Sequence, residues 1–227
     1  MKAILLCAGI LVSGLMVAPA SATTYTFAFA SAGNAGNLVN GTTFTQPGVP
    51  GLILSAYAFN TDGTTTGNSL YAKYTAGNAG ETGLGTTADA TGDHEIIITD
   101  YVQIDFSNVK QNFTINSAKL VVTSDQSPDA WQMFVTKTTG GAMNTFGSAV
   151  ASGNASGGVT QTIDITSFLA PANANVLAVN ETAANPANVL VGTLTLDLTA
   201  KSPEPGTMLL LVIPLIGLVW KRRKAVA

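Results

Sequence analysis

Asp93, His94, Glu95, Asp100 and Asp105 form the densest group of side chains that could hold a cation or move a proton. Carboxylate oxygens joined by loop carbonyls suit Ca²⁺, which takes about six to eight hard oxygen ligands. Asp93, Glu95, Asp100 and Asp105 are therefore candidate Ca²⁺ ligands, and no other cofactor is implied. Their spacing matches neither an EF-hand nor a repeat-type calcium loop. The preferred reading of the same residues is a polar hairpin with solvated carboxylates ahead of a strand. Asp125 and Asp129, on either side of Ser127-Pro128, read as turn residues.

His94 is the single histidine. A Ser-His-Asp hydrolase would have to use it as the base, yet no Gly-x-Ser-x-Gly elbow accompanies it. Paired carboxylates can hydrolyse glycosides. Asp93 with Asp105 could serve, but nothing in the sequence selects them. The expectation is a non-enzymatic protein with no catalytic residue, a secreted hydrolase being the least favoured reading. Binding is the other chemistry available. The faces of Trp131, Tyr57, Tyr71, Tyr74 and Tyr101 could stack on sugar rings, which makes a carbohydrate-binding module the alternative function and Trp131 its candidate residue. Trp131 also opens an apolar run, and a core role is the preferred reading of it. Asn-x-Ser/Thr triplets at Asn40, Asn112, Asn154 and Asn180 are acceptors only where a glycosylation system exists, and they are expected to be unmodified.

The scaffold for these residues reads as β structure. Of 227 residues, 46% are hydrophobic and 10% charged, against about 25% charged in ordinary domains. Ten Lys+Arg against thirteen Asp+Glu exclude a nucleic-acid binder, which needs a basic stripe. Twenty-three glycines oppose a helical bundle, while the apolar content opposes disorder. Thr24-Tyr25-Thr26-Phe27-Ala28-Phe29 alternates as a half-buried strand does. Further strands are expected at 52–59, 69–74, 96–98 leading into 101–106, 113–115, 118–123, 131–137, 161–165, 176–179 and 189–198. In the last, Leu190, Gly192, Leu194, Leu196 and Leu198 share one parity. Turn clusters such as Asn60-Thr61-Asp62-Gly63 and Gly140-Gly141 separate these runs, and one short helix is expected at 167–170, before Pro171. The fold expected is all-β: a single antiparallel β-sandwich, jelly-roll-like, over residues 23–202.

Both ends carry targeting features. Lys2, the apolar run 3–17 and the small residues Ala18-Pro19-Ala20-Ser21-Ala22 read as a signal peptide over 1–22, cut between Ala22 and Thr23 with Ala20 and Ala22 as the recognised small residues. Cys7 would leave with it, so the mature domain must stand on an ordinary core without disulfides. At the other end Pro203-Glu204-Pro205 is followed by an apolar span at 206–220 and a basic tail at 221–227 containing Arg222 and Arg223. Fifteen residues make a helix of roughly 22 Å, short for a hydrocarbon core of about 30 Å and so suited to a transient anchor. The cations would hold the tail in the cytoplasm and place 23–202 outside. For that segment five lysines (73, 110, 119, 137, 201) against twelve acids give −7, a surface compatible with neutral or Ca²⁺-bridged glycans.

The ordered tail of Pro203-Glu204-Pro205, a short hydrophobic span and Arg222-Arg223 resembles the PEP-CTERM sorting signal of Gram-negative bacteria. The resemblance covers 203–227, and Pro214 within the span is its one departure. It implies recognition by an integral-membrane exosortase, processing near Pro203-Glu204-Pro205, a transient stay in the inner membrane, and delivery to the cell surface or an exopolysaccharide matrix. Gly83-Leu84-Gly85, Gly92-Asp93-His94-Glu95 and 101–106 look similar to a segment of extracellular domains carrying such tails, and this second resemblance implies no activity. The expectation is an exported structural or interaction protein, possessing no nucleic-acid partner.

Overall fold

Residues that alternate in the sequence alternate in burial. In Ile53–Asn60, Leu54, Ala56 and Ala58 are fully buried while Ser55 and Tyr57 stay half-exposed, because successive strand side chains point to opposite faces. The protein, seen in a computed structural model, is described over residues 21–77, 81–88, 92–124, 129–155, 160–182 and 189–201. Its strands are β1 (Thr23–Ala28), β2 (Gly36–Leu38), β3 (Thr42–Thr45), β4 (Ile53–Asn60), β5 (Leu70–Lys73), β6 (Gly83–Thr86) and β7 (Asp100–Asp105). Then come α1 (Ser107–Asn112), β8 (Phe113–Thr123), β9 (Asp129–Thr136), β10 (Ala151–Ala155), β11 (Gln161–Asp164), α2 (Thr166–Leu169), β12 (Val176–Glu181) and β13 (Leu190–Ala200). Every pairing is antiparallel.

Two sheets share the strands. One runs β11-β8-β13-β6-β5-β2, with β1 also against β13; the other runs β10-β9-β12-β7-β4-β3. From β6 onward the chain crosses to the other sheet at every step except the hairpin from β9 to β10. β6, β8, β11 and β13 lie in the first; β7, β9, β10 and β12 lie in the second. One core fills the space between, with Leu54, Ile104, Met133 and Leu177 from the second sheet meeting Leu84, Leu120, Leu194 and Leu196 from the first. This is a β-sandwich, as expected.

Three expectations need correction. Residues 113–115 and 118–123 are one strand, β8. Ile96 makes only an isolated bridge to Val189, and Ile98 is exposed, so 96–98 is not a strand. The single parity of 190–198 is broken by a register shift between Val191 and Leu194. Val191 then joins Leu194, Leu196 and Leu198 in the core cluster, and Leu190 does not. Gly192 sits at the bulge, where a Cβ would press on the Thr123 methyl at 2.9 Å.

The outer face of the second sheet carries a smaller cluster of Phe59, Tyr101, Phe134 and Ala178. The connection between β9 and β10 covers it. Phe146 packs edge-on to Tyr101 at 5.3 Å, and the Tyr101 hydroxyl donates to the Gly141 carbonyl at 2.6 Å.

Candidate functional site

The group singled out by composition divides on folding. Asp100 opens β7 and Asp105 closes it, so the two lie at opposite ends of one strand. Asp105 is half-exposed, and its Oδ1 accepts the Ser107 N–H at 2.7 Å, which turns the chain into α1. Asp93 is exposed in the approach to β7. The pairing of Asp93 with Asp105 as hydrolytic carboxylates is therefore not brought together. The four candidate Ca²⁺ ligands share no single place, and among the described residues no three His, Cys, Asp or Glu side chains converge on a metal position.

Asp100 and Glu95 do come together, in the interior. Glu95 is 1% exposed and Asp100 is fully buried. The Asp100 carboxylate accepts the Ile97 N–H at 2.8 Å and lies 2.6 Å from the Thr86 hydroxyl, which also reaches the Glu95 carbonyl at 3.0 Å. Asn180 donates to the Asp100 carbonyl at 2.6 Å. Lys73 supplies the charge: its Nζ is 2.6 Å from Glu95 Oε1 and also pairs with Glu81. Burial pulls the Lys73 ammonium down, but its bonds to Glu81 and Glu95 outweigh that and hold it above the ordinary lysine value. These contacts tie the 93–100 segment to β5 and β6. That is the task of an internal polar network.

Glycine makes the fit possible. A Cβ on Gly85 would overlap the His94 carbonyl oxygen, and one on Gly83 would lie 2.6 Å from the Val191 carbonyl oxygen. His94 itself adopts φ of 60°, the one non-glycine residue in the left-handed region among those described. Its ring stacks on Tyr71 with centroids 3.9 Å apart, and among the described residues its buried Nδ1 has no hydrogen-bond partner.

The aromatic platform is dispersed too. Trp131 is 3% exposed, within the core, and donates from Nε1 to Gln161 Oε1 at 2.8 Å. It lies across Gly153 of β10, where a Cβ would stand 2.6 Å from the indole. Its face is closed to a ligand, which corrects the ligand-binding expectation in favour of the core role. Tyr101 is fully buried, Tyr57 stacks on Phe59, and Tyr74 is 40% exposed. Of the Asn-x-Ser/Thr sites, Asn180 is buried, and Asn40 both donates to and accepts from the Ala58 backbone. Asn112 bonds to the Asn108 carbonyl, and Asn154 is exposed.

Ala22 and Thr23 of the expected cleavage site are exposed at the start of β1. Cys7, Ala20, Asp125, Pro203, Glu204, Pro205, Arg222 and Arg223 lie outside the described residues. Among those described, no helix is long and apolar enough to cross a membrane.

No protein-family model matches the chain, and no curated protein matches it. Among solved structures it is similar to the K1 cleaved adhesin domain of Lys-gingipain from Porphyromonas gingivalis W83. That match has 14% identity over 80% of this chain and 99% of that one, with a TM-score of 0.30.

Proposed function

We propose that this chain is an exported, non-enzymatic protein of the cell surface or exopolysaccharide matrix, released from a transient inner-membrane stage by an exosortase acting at its C-terminal tail. One observation carries the reading: the folded ladder stops short of both expected processing sites. β1 starts at Thr23, the residue that would follow signal cleavage, and β13 pairs as far as Ala200, short of Pro203. Removing 1–22 and the segment beyond 203–205 would leave every described strand in place. Thr23 pairs with Leu198, so both ends of the domain leave from one end of β13. Pro203 and Pro205 lack backbone donors and resist regular structure, which suits an extended segment offered to a peptidase. On this reading β6–β13 form a jelly roll, eight strands shared equally by two sheets.

The test is intact-mass analysis of both termini of the native protein, taken separately from membrane and medium fractions. A chain starting at Thr23 and ending near Pro203-Glu204-Pro205, mostly outside the inner membrane, is the expected result. Glu204→Ala and the double change Arg222→Ala with Arg223→Ala should each block that processing. A native chain retaining 221–227 in the inner membrane, or unaltered processing in these variants, would overturn the proposal.

A further inference from the structure

Lys110 and Lys201 line one pocket of about 330 Å³, at the end of the sandwich where β13 stops. Phe113, Ile115 and Leu169 give it an apolar wall, and Thr114 sets a hydroxyl residue at its rim. Both ammonium groups are held by backbone. Lys110 Nζ donates to the Pro171 carbonyl at 2.7 Å and the Ala174 carbonyl at 3.0 Å; Lys201 Nζ donates to the Lys110 carbonyl at 2.5 Å. An ammonium has three donors, so among the described residues these bonds leave one on Lys110 and two on Lys201.

Neither lysine forms an ion pair among the described residues, where the ion pairs seen are those of Lys73. Burial, and then the charge of Lys201, hold the Lys110 ammonium below the ordinary lysine value. Two like charges held together in a partly dry pocket gain from an anion between them. The local sign also opposes that of the whole segment 23–202, which stands at −7 (five lysines, twelve acids).

We propose that this pocket binds a carboxylate-bearing sugar ring, of the uronic acid type, in an acidic polysaccharide. The size favours a single ring, since small-ligand sites begin near 300 Å³. The apolar wall distinguishes a ring ligand from a bare ion, which would gain nothing from Phe113 and Ile115. The ammonium donors supply charge-assisted bonds to the carboxylate. The inference rests on the surface-polysaccharide reading above and names the class of glycan that reading left open.

The full chain in detergent is titrated calorimetrically with oligogalacturonate, with its methyl-esterified form, and with inorganic phosphate. Binding of the acid but not the ester, weakened about tenfold in Lys201→Gln, is the expected result, since a charge-assisted bond contributes enough for about that factor. Lys201 is exposed and lies just past the last paired residue of β13, so its replacement leaves the fold intact, whereas Lys110→Met would disturb α1. Lys119→Gln, on β8 away from the pocket lining, should leave binding unchanged. Equal binding of acid and ester, an unaltered Lys201→Gln affinity, or phosphate binding as tight as the oligosaccharide's would each overturn the proposal. If it fails while the mature chain is still found processed in the matrix, only the pocket is lost and the surface reading stands.

Discussion

Where β13 begins, Glu95, Asp100, Asp129 and Glu181 are all buried; where it stops, Lys110 and Lys201 line an open pocket. Eleven residues of strand separate the two ends, a span of about 35 Å. The same kind of interaction is used differently at each. At the acidic end, charge is turned inward: Glu95 and Glu81 share Lys73, and Asp100 is bonded by Thr86 and Ile97. At the basic end the ammonium groups rest on carbonyls, which fix their position, and among the described residues neither meets a carboxylate in an ion pair. A buried carboxylate that is ion-paired or hydrogen-bonded to neighbouring strands organises the fold, whereas a cation held only by carbonyls keeps its charge for a ligand. Dense chemistry in a sequence is thus a poor guide to a site.

The sharpest break of this contrast is Gly85→Ala. A new Cβ would collide with backbone, the His94 carbonyl, which cannot rotate away. A loss of about 3 kcal/mol in urea unfolding is expected, the upper end of the usual overpacking cost. A near-neutral effect would mean that the 93–96 segment does not lie against β6, and the account of the acidic end would fail with it.

Lysine replacements at the two ends should differ next. Lys73→Met leaves Glu95 buried without the cation it shares with Glu81, and should cost about 2 kcal/mol, less than a fully enclosed pair because Lys73 keeps some exposure. Lys201→Gln should cost under about 0.5 kcal/mol, as exposed positions do. Equal costs would erase the distinction between organising and available charge.

How much of this the sequence discloses follows the same division. Long strands such as β4, β9 and β13 were legible because each carries a sustained apolar run, although the bulge in β13 hid which of its residues face the core. β2, β3, β6 and β10 were not. They are short, and β6 (Gly83–Thr86) and β10 (Ala151–Ala155) are rich in small residues that carry no pattern. Their glycines are chosen by what lies across them, His94 for Gly85 and Trp131 for Gly153, and no local window contains that. α1 escaped for a similar reason: Ser107–Asn112 buries only Val109, so tertiary packing rather than amphipathic period makes it helical. α2 falls within one residue of the short helix expected before Pro171. The cluster 93–105 drew notice by composition, yet β7 carries Asp100 and Asp105 to opposite ends. The pocket of Lys110 and Lys201 joins residues 91 positions apart, through the pairing of Phe113 with Ala200. Only the topology brings them together.

The finest difference between the ends is the direction in which their lysines titrate. Lys73 is held above the ordinary value, so its stabilising contribution is complete below the unfolded lysine value, about 10.4, and is lost as pH rises through its higher folded value. Lys110 is held below it, so its charge carries a cost that is complete below its folded value and is relieved as pH rises from there to the unfolded one. Side-chain NMR of the two ammonium groups through the alkaline range should find Lys110 titrating first and Lys73 last. Lys201→Gln should then move Lys110 upward, because the charge of Lys201 is one of its two causes, yet leave it below the ordinary value, because burial is the larger. An unmoved Lys110 would mean that the two ammonium groups do not feel each other. The pocket would then hold separate cations, with no paired charge to receive a carboxylate.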